Sequence, residues 1–326
     1  MKLPHRRQFL HLVAGAAALP AVSRITWAQA YPARSVRVVV GFAPGGAPDI
    51  LARLIAAWLS ERLGQEFIVE NRLGGGSNIG TEAVVRAPAD GYTLLLVSTT
   101  NTINATLYDR LNFDFLRDIA PVAGIIRLPL VMVVNPSVPA KTVAEFMTYA
   151  EANPGKITMA SPGTGTQPHL AGELFRTMAG INVMQVPYRG AGPAMIDLIA
   201  GQVHVVFTAP FPVIEYIRAG KLRALAVTTA TSSEALPDVP PVGDFVPGYE
   251  ASSWWGVGAP KNTPDEVVEK LNMEINAALA DPQMNTRLAD LGGSVLPGSP
   301  GDFGKLIADE TEKWGKVIRT ANIKAD

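Results

Sequence analysis

The chain has 326 residues, of which 48% are hydrophobic and 17% charged, so the length predicts two domains and the composition excludes an intrinsically disordered protein. The formal net charge is −1, and no basic run is interleaved with aromatic residues, so nucleic-acid binding is not expected. The lack of cysteine excludes disulfides, thiolate chemistry and zinc–cysteine sites.

The first thirty residues have the organisation of an export signal. Arg6-Arg7-Gln8-Phe9-Leu10 is a twin-arginine pattern, residues 12–22 are apolar, and Ala28-Gln29-Ala30 supplies a small-x-small cleavage site. We expect cleavage after about Ala30 and a periplasmic protein without a direct membrane anchor. A buried first helix and ordinary secretion are the alternatives. Removal of this segment takes four of the 28 basic residues and leaves 24 against 29 acidic ones, a net charge of −5.

Strand and helix patterns alternate after this segment. Residues 36–41 (VRVVVG) are a β-branched run that is typical of a strand buried on both faces. Apolar residues then recur at helical spacing from 50 to 63. Further strands are predicted at 66–70 and 92–97, with a helix around Ala83 between them. This order favours an α/β domain with a mainly parallel sheet.

The alternation resumes after residue 130. Strands are predicted at 130–134, 156–160, 183–186, 203–207, 222–227 and 253–259, and helices at 143–152, 170–178, 195–199, about 264–280 and 300–320. The proline-rich stretch at 231–250 is predicted to be a surface connection.

Small-residue loops recur where predicted strands meet helices, at 41–48, 74–80, 161–168 and 188–193. In an open parallel sheet such turns lie at the carboxyl ends of the strands, where ligands bind. Helix N-termini there present free N–H groups and a partial positive charge, which indicates an anion site. The first loop lacks both the GxGxxG order and the Gly-Lys-Ser/Thr of a phosphate loop. Plain strand-to-helix turns are the alternative.

Candidate catalytic groups are few. His169 opens a helix beside a Ser/Thr/Gly loop and is the better ligand contact, whereas His204 lies in a strand-like run and is interpreted as structural. No GxSxG elbow and no metal-ligand cluster occurs in the sequence, so we expect neither a metal nor a cofactor. Asp49 is interpreted as a helix cap, and Trp254 and Trp255 as hinge or core residues.

Several motifs in order carry a family likeness. They are residues 32–49 (PARSVRVVVGFAPGGAPD), 69–80 (VENRLGGGSNIG), 89–94 (ADGYTL), 187–190 (PYRG), 219–227 (AGKLRALAV) and 255–260 (WGVGAP). The chain therefore resembles the receptors of tripartite tricarboxylate transporters, the Bug family, over essentially its whole length after residue 30. The resemblance implies a periplasmic solute receptor, not an enzyme, that delivers a small organic carboxylate to the membrane subunits of the transporter. A monomer is expected.

The resemblance also implies a fold and a site. It implies a type II-like periplasmic binding protein, with two α/β domains that each have a mainly parallel sheet, flanking helices and a ligand cleft between them. Domain 1 is predicted at 31–130 plus 253–326, and domain 2 at 131–252. Backbone amides, hydroxyls and bridging waters are expected to hold the ligand. The ligand-binding residues carried over by position are Phe42, Ala43, Gly46, Ala47, Asn78, Ser98, Thr99 and Thr100 in the first domain, and Ser161, Gly163, Thr164, Gly165, Thr166, His169, Tyr188 and Gly190 in the second.

Thr208 departs from the family pattern and is added to the predicted site. Many members carry an acidic residue just after the phenylalanine of the strand that here ends at Phe207. An acidic group there would face a ligand ammonium, so Thr208 favours a ligand without a positive charge, such as a di- or aromatic carboxylate. Two alternatives remain open: an exported hydrolase that uses a Ser or Thr near His169, and a receptor that reports to a sensor kinase instead of feeding uptake.

Overall fold

The computed structural model describes residues 31–42, 44–188, 191–210, 213–233 and 236–325. The predicted export signal and two predicted site residues, Ala43 and Gly190, lie outside the described residues.

The strands and helices alternate along most of the chain. The strands are β1 (Val36–Val40), β2 (Phe67–Asn71), β3 (Thr93–Ser98), β4 (Ile119–Leu128), β5 (Val131–Val134), β6 (Thr158–Ser161), β7 (Met184–Pro187), β8 (Val205–Thr208), β9 (Arg223–Val227), β10 (Ser253–Pro260) and β11 (Ser294–Val295). The helices are α1 (Ala47–Leu63), α2 (Asn78–Val85), α3 (Thr99–Leu107), α4 (Phe115–Asp118), α5 (Val143–Ala152), α6 (Gln167–Ala179), α7 (Ala191–Ile199), α8 (Ile214–Arg218), α9 (Asp265–Ala280), α10 (Pro282–Asp290) and α11 (Pro300–Thr320).

The strands form two sheets. One has six strands in the order β11-β4-β10-β3-β1-β2, and the other has five in the order β7-β6-β8-β5-β9. The α/β class with flanking helices is confirmed, but the sheets are mixed rather than mainly parallel. Parallel pairing joins β1 to β2 and β3, and β6 to β7 and β8. β4 leaves the six-stranded sheet and β10 returns to it, so these two strands run antiparallel to each other. β10 is also antiparallel to β3, and β5, which follows β4, is antiparallel to β8.

The two connections between the sheets lie side by side. Only Pro129 and Leu130 separate β4 from β5, and the chain returns through residues 228–252 into β10. β4 and β10 pair from Leu128 opposite Ser253 to the other end of both strands. The predicted domain boundaries at 130 and 253 fall at these connections and stay a prediction.

Helices cover both faces of the six-stranded sheet. Leu94 and Leu96 of β3 pack with residues of α1 and α9, whereas Leu95 and Val97 pack on the opposite face with α2 and α11. The alternation follows from the period of two in a strand. Every residue of β3 is buried, which explains why its sequence is a continuous apolar run rather than an alternating one.

Two sequence expectations outside the site are corrected. Residues 231–250 are not only a surface connection, since Val242, Val246 and Tyr249 are buried in the core beside the five-stranded sheet. The chain also closes with three helices rather than two, because Pro282 and the Asp281 side chain, which accepts hydrogen bonds from two backbone N–H groups, start α10 directly after α9.

Candidate ligand-binding site

The predicted site residues gather at one edge of each sheet. Phe42 follows β1 and Ser98 ends β3, while Ser161 ends β6, Tyr188 follows β7 and Thr208 ends β8. These strands are parallel within each sheet, so their carboxyl ends share an edge. This is the edge at which open α/β sheets bind ligands.

The connections between the sheets turn these two edges towards each other. β10 begins beside the end of β3, with Trp255 opposite Ser98. β5 begins beside the end of β8, with Val131 opposite Thr208. β4 runs from the first edge directly into β5 at the second, so a ligand between the sheets would meet the carboxyl ends of parallel strands from both sides.

The loop after β1 is held by the buried carboxylate of Asp49. Its Oδ2 accepts hydrogen bonds from the Gly45 N–H and from Nε of Arg53, both at 2.9 Å. Its Oδ1 accepts from Nδ2 of Asn71, which also donates to the Phe42 carbonyl. Hydrogen bonds from Arg53, and secondarily from Gly45 and Asn71, lower the pKa of Asp49 to about 2. Asp49 therefore positions the loop rather than capping its helix as interpreted from the sequence, because α1 has no side-chain capping bond.

We expect Asp49→Asn to destabilise the fold at pH 7 by about 1–3 kcal/mol, because the three hydrogen bonds to its ionised carboxylate are weakened or lost. The folded pKa lies below the unfolded value near 4, so the stabilisation is present above about pH 4 and is lost as pH falls towards 2. Urea unfolding between pH 7 and pH 2 measures both effects. Asp109→Asn, at an exposed carboxylate, is the control, and identical pH profiles for Asp49→Asn and the wild type would contradict this role.

The loop after β2 places a serine hydroxyl against the loop after β1. Gly74, Gly75 and Gly76 have positive φ, and so does Ser77 at 78°. Ser77 is 1% exposed and its Oγ has no hydrogen-bond partner among the described residues. A Cβ on Gly41 would lie 2.0 Å from this Oγ, so only glycine at 41 lets the two loops meet. Sequence analysis missed Ser77 as a site residue.

The predicted residues Ser98, Thr99 and Thr100 form the start of α3, a helix that the sequence pattern does not predict. The backbone N–H of Ser98 donates to Oδ1 of Asn101 at 2.8 Å, and Oγ1 of Thr99 accepts the Trp254 N–H at 2.9 Å. Thr100 is half-buried. Ser98 and Thr99 therefore fix α3 and the crossing strand β10, which leaves Thr100 the freer of the three to contact a ligand.

Asn78 is likewise partly engaged by protein groups. Its Oδ1 accepts a hydrogen bond from Nδ2 of Asn104 at 3.0 Å, and the same Nδ2 donates to the Gly76 carbonyl at 2.6 Å. Gly46 and Ala47, at the start of α1, are exposed. These residues line the edge as predicted, but Asn78 offers a ligand its amide N–H groups more readily than its oxygen.

Three of the helices that start at this edge lack a side-chain cap, whereas α3 has a Ser98–Asn101 capping box. Gly46, Ser77 and Thr166 precede α1, α2 and α6, and none of them accepts a side-chain capping bond. Elsewhere Thr142 and Ser299 cap α5 and α11. In α2 the N–H groups of Asn78 and Ile79 donate to the Gly75 and Gly74 carbonyls. Uncapped helix starts otherwise have free N–H donors and a partial positive charge, so the starts of α1 and α6 suit the edge to an anion.

The five-stranded sheet contributes a second buried hydroxyl. Ser161 is 1% exposed, and its Oγ lacks a hydrogen-bond partner within the described part of the chain. In the loop that follows, Oγ1 of Thr166 donates to the Gly163 carbonyl at 2.7 Å. Gly165 is buried against Leu107 of α3, so this loop touches a helix of the other sheet.

Two predicted residues of the second sheet, His169 and Tyr188, are partly committed to the protein. Nδ1 of His169 accepts the Gly165 N–H at 3.0 Å, and His169 and Thr164 line a groove of about 380 Å³ that reaches residues 321–324. The Tyr188 hydroxyl donates to Oδ2 of Asp197 at 2.6 Å, which raises the pKa of Tyr188 to about 12. Its ring, rather than its hydroxyl, is left for a ligand.

The remaining interpreted residues have packing roles. His204 accepts the Thr158 N–H at Nδ1, and burial lowers its pKa. Trp254 is fully buried and packs edge-on against Phe303. No helix in the described ranges is long and apolar enough to cross a membrane. Within the same ranges no three or more Asp, Glu or His side chains are grouped so that they could hold a metal ion.

Comparisons with known proteins identify the family. The profile of the tripartite tricarboxylate transporter family receptor, TctC, matches residues 51–323. Protein BugT of Bordetella pertussis is 36% identical over 300 residues, which is 91% of this chain and 92% of BugT. The structure of R. palustris Rpa4515 with adipate is 38% identical and covers 90% of this chain and 99% of that one, with a TM-score of 0.78. MatC from Rhodopseudomonas palustris with bound malate is 31% identical and covers 88% of this chain and 100% of that one, with a TM-score of 0.73.

These matches extend over most of the chain and confirm both the resemblance and the two-domain α/β architecture predicted from the sequence. The chain belongs to the receptor family of tripartite tricarboxylate transporters, whose members are periplasmic solute-binding proteins.

Proposed function

We propose that this chain is exported, loses its signal after about Ala30, and binds a small organic carboxylate without an amino group between the two sheet edges. It then delivers this ligand to the membrane subunits of a tripartite transporter. The observation that carries the proposal is the pair of buried hydroxyls, Ser77 Oγ and Ser161 Oγ, one at each of the facing edges and neither with a hydrogen-bond partner in the described ranges.

A carboxylate fits these groups because it supplies acceptors to donors on both sides. Hydroxyl groups and uncapped helix N–H groups all donate hydrogen bonds, and bonds to an ionised acceptor are the stronger kind. Adipate and malate, bound in two related structures, are carboxylates without an amine. Thr208, buried at the end of β8, puts a neutral group where an acidic one would be needed to pair with an ammonium. These features support a ligand of the same class.

Calorimetric titration of residues 31–326 with adipate, malate, benzoate, aspartate and glutamate tests the proposal. We expect binding of at least one carboxylate without an amine. For that ligand, Ser77→Ala and Ser161→Ala should each raise Kd by about tenfold or more, since each removes one hydrogen bond to a charged group. Binding of the amino acids alone would contradict the role assigned to Thr208, and no binding of any of the five would contradict the proposal.

Thr286→Ala is the matched control for the two serine variants. Its hydroxyl is exposed and donates only to the Pro282 carbonyl within α10, so its Kd should equal that of the wild type. Thermal unfolding without ligand should be nearly unchanged in the serine variants, because neither hydroxyl bonds to the protein. A loss of stability without a change in Kd would assign the serines to packing and remove the observation on which the proposal stands.

The receptor role is favoured over the exported hydrolase. Nδ1 of His169 already accepts the Gly165 N–H, and the family is one of solute-binding receptors. Delivery to the transporter is tested by uptake of the bound ligand in cells that carry the membrane subunits with and without this protein. Uptake that does not depend on the protein would favour the sensor-kinase alternative.

A further inference from the structure

Trp255 occupies a distinct position at the edge of the six-stranded sheet. It lies opposite Ser98, at the point where β3 ends. The side chain of Ser253, two residues earlier in β10, points to the same side of the strand. Its hydroxyl donates to Oε1 of Gln167, the first residue of α6, at 3.0 Å. The strand segment that carries Trp255 therefore runs between the two sets of site loops.

The ring of Trp255 has packing partners, but its N–H group does not. The half-buried ring packs on the core face that also carries Phe42 of the first site loop. Its Nε1 is buried and has no hydrogen-bond partner among the residues that the structure describes. A buried indole N–H ordinarily has an acceptor, since it is a donor only and its desolvation is unfavourable.

The other tryptophans of the described ranges follow that rule. Trp58 donates to the Glu274 carbonyl at 3.0 Å. Trp254 and Trp314 donate to Oε2 of Glu310 at 3.3 and 2.8 Å. Trp255 is the exception of the four; it pairs with Ser98 of the predicted site, and its ring packs against the same core cluster as Phe42.

We propose that Trp255 is a specificity-determining ligand contact: its indole N–H donates to an acceptor oxygen of the bound carboxylate, and its ring forms an apolar wall with Phe42. This inference rests on the proposed function. The indole N–H is a hydrogen-bond donor only, so a ligand must place an acceptor oxygen beside it on the side of the six-stranded sheet. A ligand amine or methyl group at that point would leave the N–H buried and unpaired. The site thus favours ligands with acceptor oxygens at both ends over monocarboxylates with an apolar tail.

Trp255→Phe tests the inference, because it keeps an aromatic ring and removes only the donor. The probe is adipate or malate, whichever the wild type binds more tightly in calorimetry, and tighter binding of benzoate than of either would overturn the inference. We expect Kd to rise roughly 10- to 100-fold, as for loss of a hydrogen bond to a charged group. The thermal midpoint of the ligand-free variant should stay within about two degrees of the wild type, since no protein acceptor is lost. Trp58→Phe, at a tryptophan bonded to Glu274, is the matched control and should bind with the wild-type Kd.

Indole proton resonances give an independent readout. Trp255→Phe removes one indole signal from the ¹⁵N-labelled protein and so assigns it. In the wild type this signal should move downfield on addition of the probe, while the Trp58 signal stays in place. An unchanged Kd in Trp255→Phe, or an indole signal that does not move, would overturn the inference and leave the proposed function standing. Failure of the wild type to bind any of the three carboxylates would overturn both.

Discussion

Gly41→Val is expected to abolish carboxylate binding. A Cβ at this position would lie 2.0 Å from Oγ, 2.5 Å from Cβ and 2.7 Å from Cα of Ser77. Two of these atoms are not the end of a flexible side chain, so the whole loop after β2 must move. Such overpacking destabilises a fold by about 1–3 kcal/mol. We expect the variant to fold with that loss and to raise the Kd of the carboxylate that the wild type binds more than about 100-fold, since several ligand donors shift together.

Gly41 is suited to this test because its φ is not positive, so the effect comes from steric contact and not from backbone strain. Calorimetry measures Kd, and urea unfolding confirms that the variant is folded. Gly301→Val is the control, since a Cβ there meets only Oγ of Ser299, at 3.6 Å, and its Kd should match that of the wild type. A folded Gly41→Val protein that binds with unchanged affinity would show that the contact between the two loops has no part in ligand binding.

The parts of the fold that could be predicted from the sequence are those with a strong local pattern. The bounds of α5 and α11 are confirmed as predicted. The start of α11, for example, is marked in the sequence by the Ser299 cap and by a proline in the first turn. β4 was missed because Pro121 and Gly124 interrupt its apolar run and imitate a turn. In the structure Gly124 is needed for packing, since a Cβ there would lie 2.7 Å from the Leu296 carbonyl oxygen.

Helix α3 shows a different limit of local pattern. Its sequence, TTNTINATL, is rich in threonine and asparagine, which have low helix propensity, and the sequence analysis predicts no helix there. The helix forms because Asn101 bonds back to Ser98 and because Ile103 and Leu107 are buried in the core. Tertiary packing therefore overrides propensity at this site element.

The sheet edge that carries the predicted site could be located from the sequence, but the roles of its residues could not. Glycine-rich loops after β-branched runs mark the sheet edge, and the residues carried over by position do lie there. Which polar groups remain without a protein partner depends on the fold. The local sequence does not distinguish Ser77 from Ser98, or Trp255 from Trp254. Among the described residues, the Ser98 hydroxyl and the Trp254 indole N–H have hydrogen-bond partners, whereas the Ser77 hydroxyl and the Trp255 indole N–H have none.

Glu310→Ala is expected to produce the largest loss of stability. The carboxylate is 6% exposed and lies between α11 and the crossing strand β10. Its Oε2 accepts from Nε1 of Trp314 and of Trp254, and its Oε1 pairs with Lys313. The substitution leaves two buried indole donors without an acceptor, whereas Lys313 keeps the Glu250 carbonyl. Each unpaired buried donor destabilises a protein by about 1–3 kcal/mol, so we expect a loss of about 2–6 kcal/mol, which urea unfolding at pH 7 measures.

Two further substitutions separate charge from hydrogen bonding. Glu310→Gln keeps an oxygen that can accept the two indole hydrogen bonds and removes the charge that pairs with Lys313. The free energy of unfolding should therefore fall by less, about 1–3 kcal/mol. Glu312→Ala, at an exposed position of the same helix, should change stability by less than about 0.5 kcal/mol. Equal stability of Glu310→Ala and Glu312→Ala would show that the Glu310 carboxylate does not hold α11 to β10. A confirmed loss would identify Glu310 as the group that holds α11 to the crossing strand β10, in which Trp254 directly precedes Trp255.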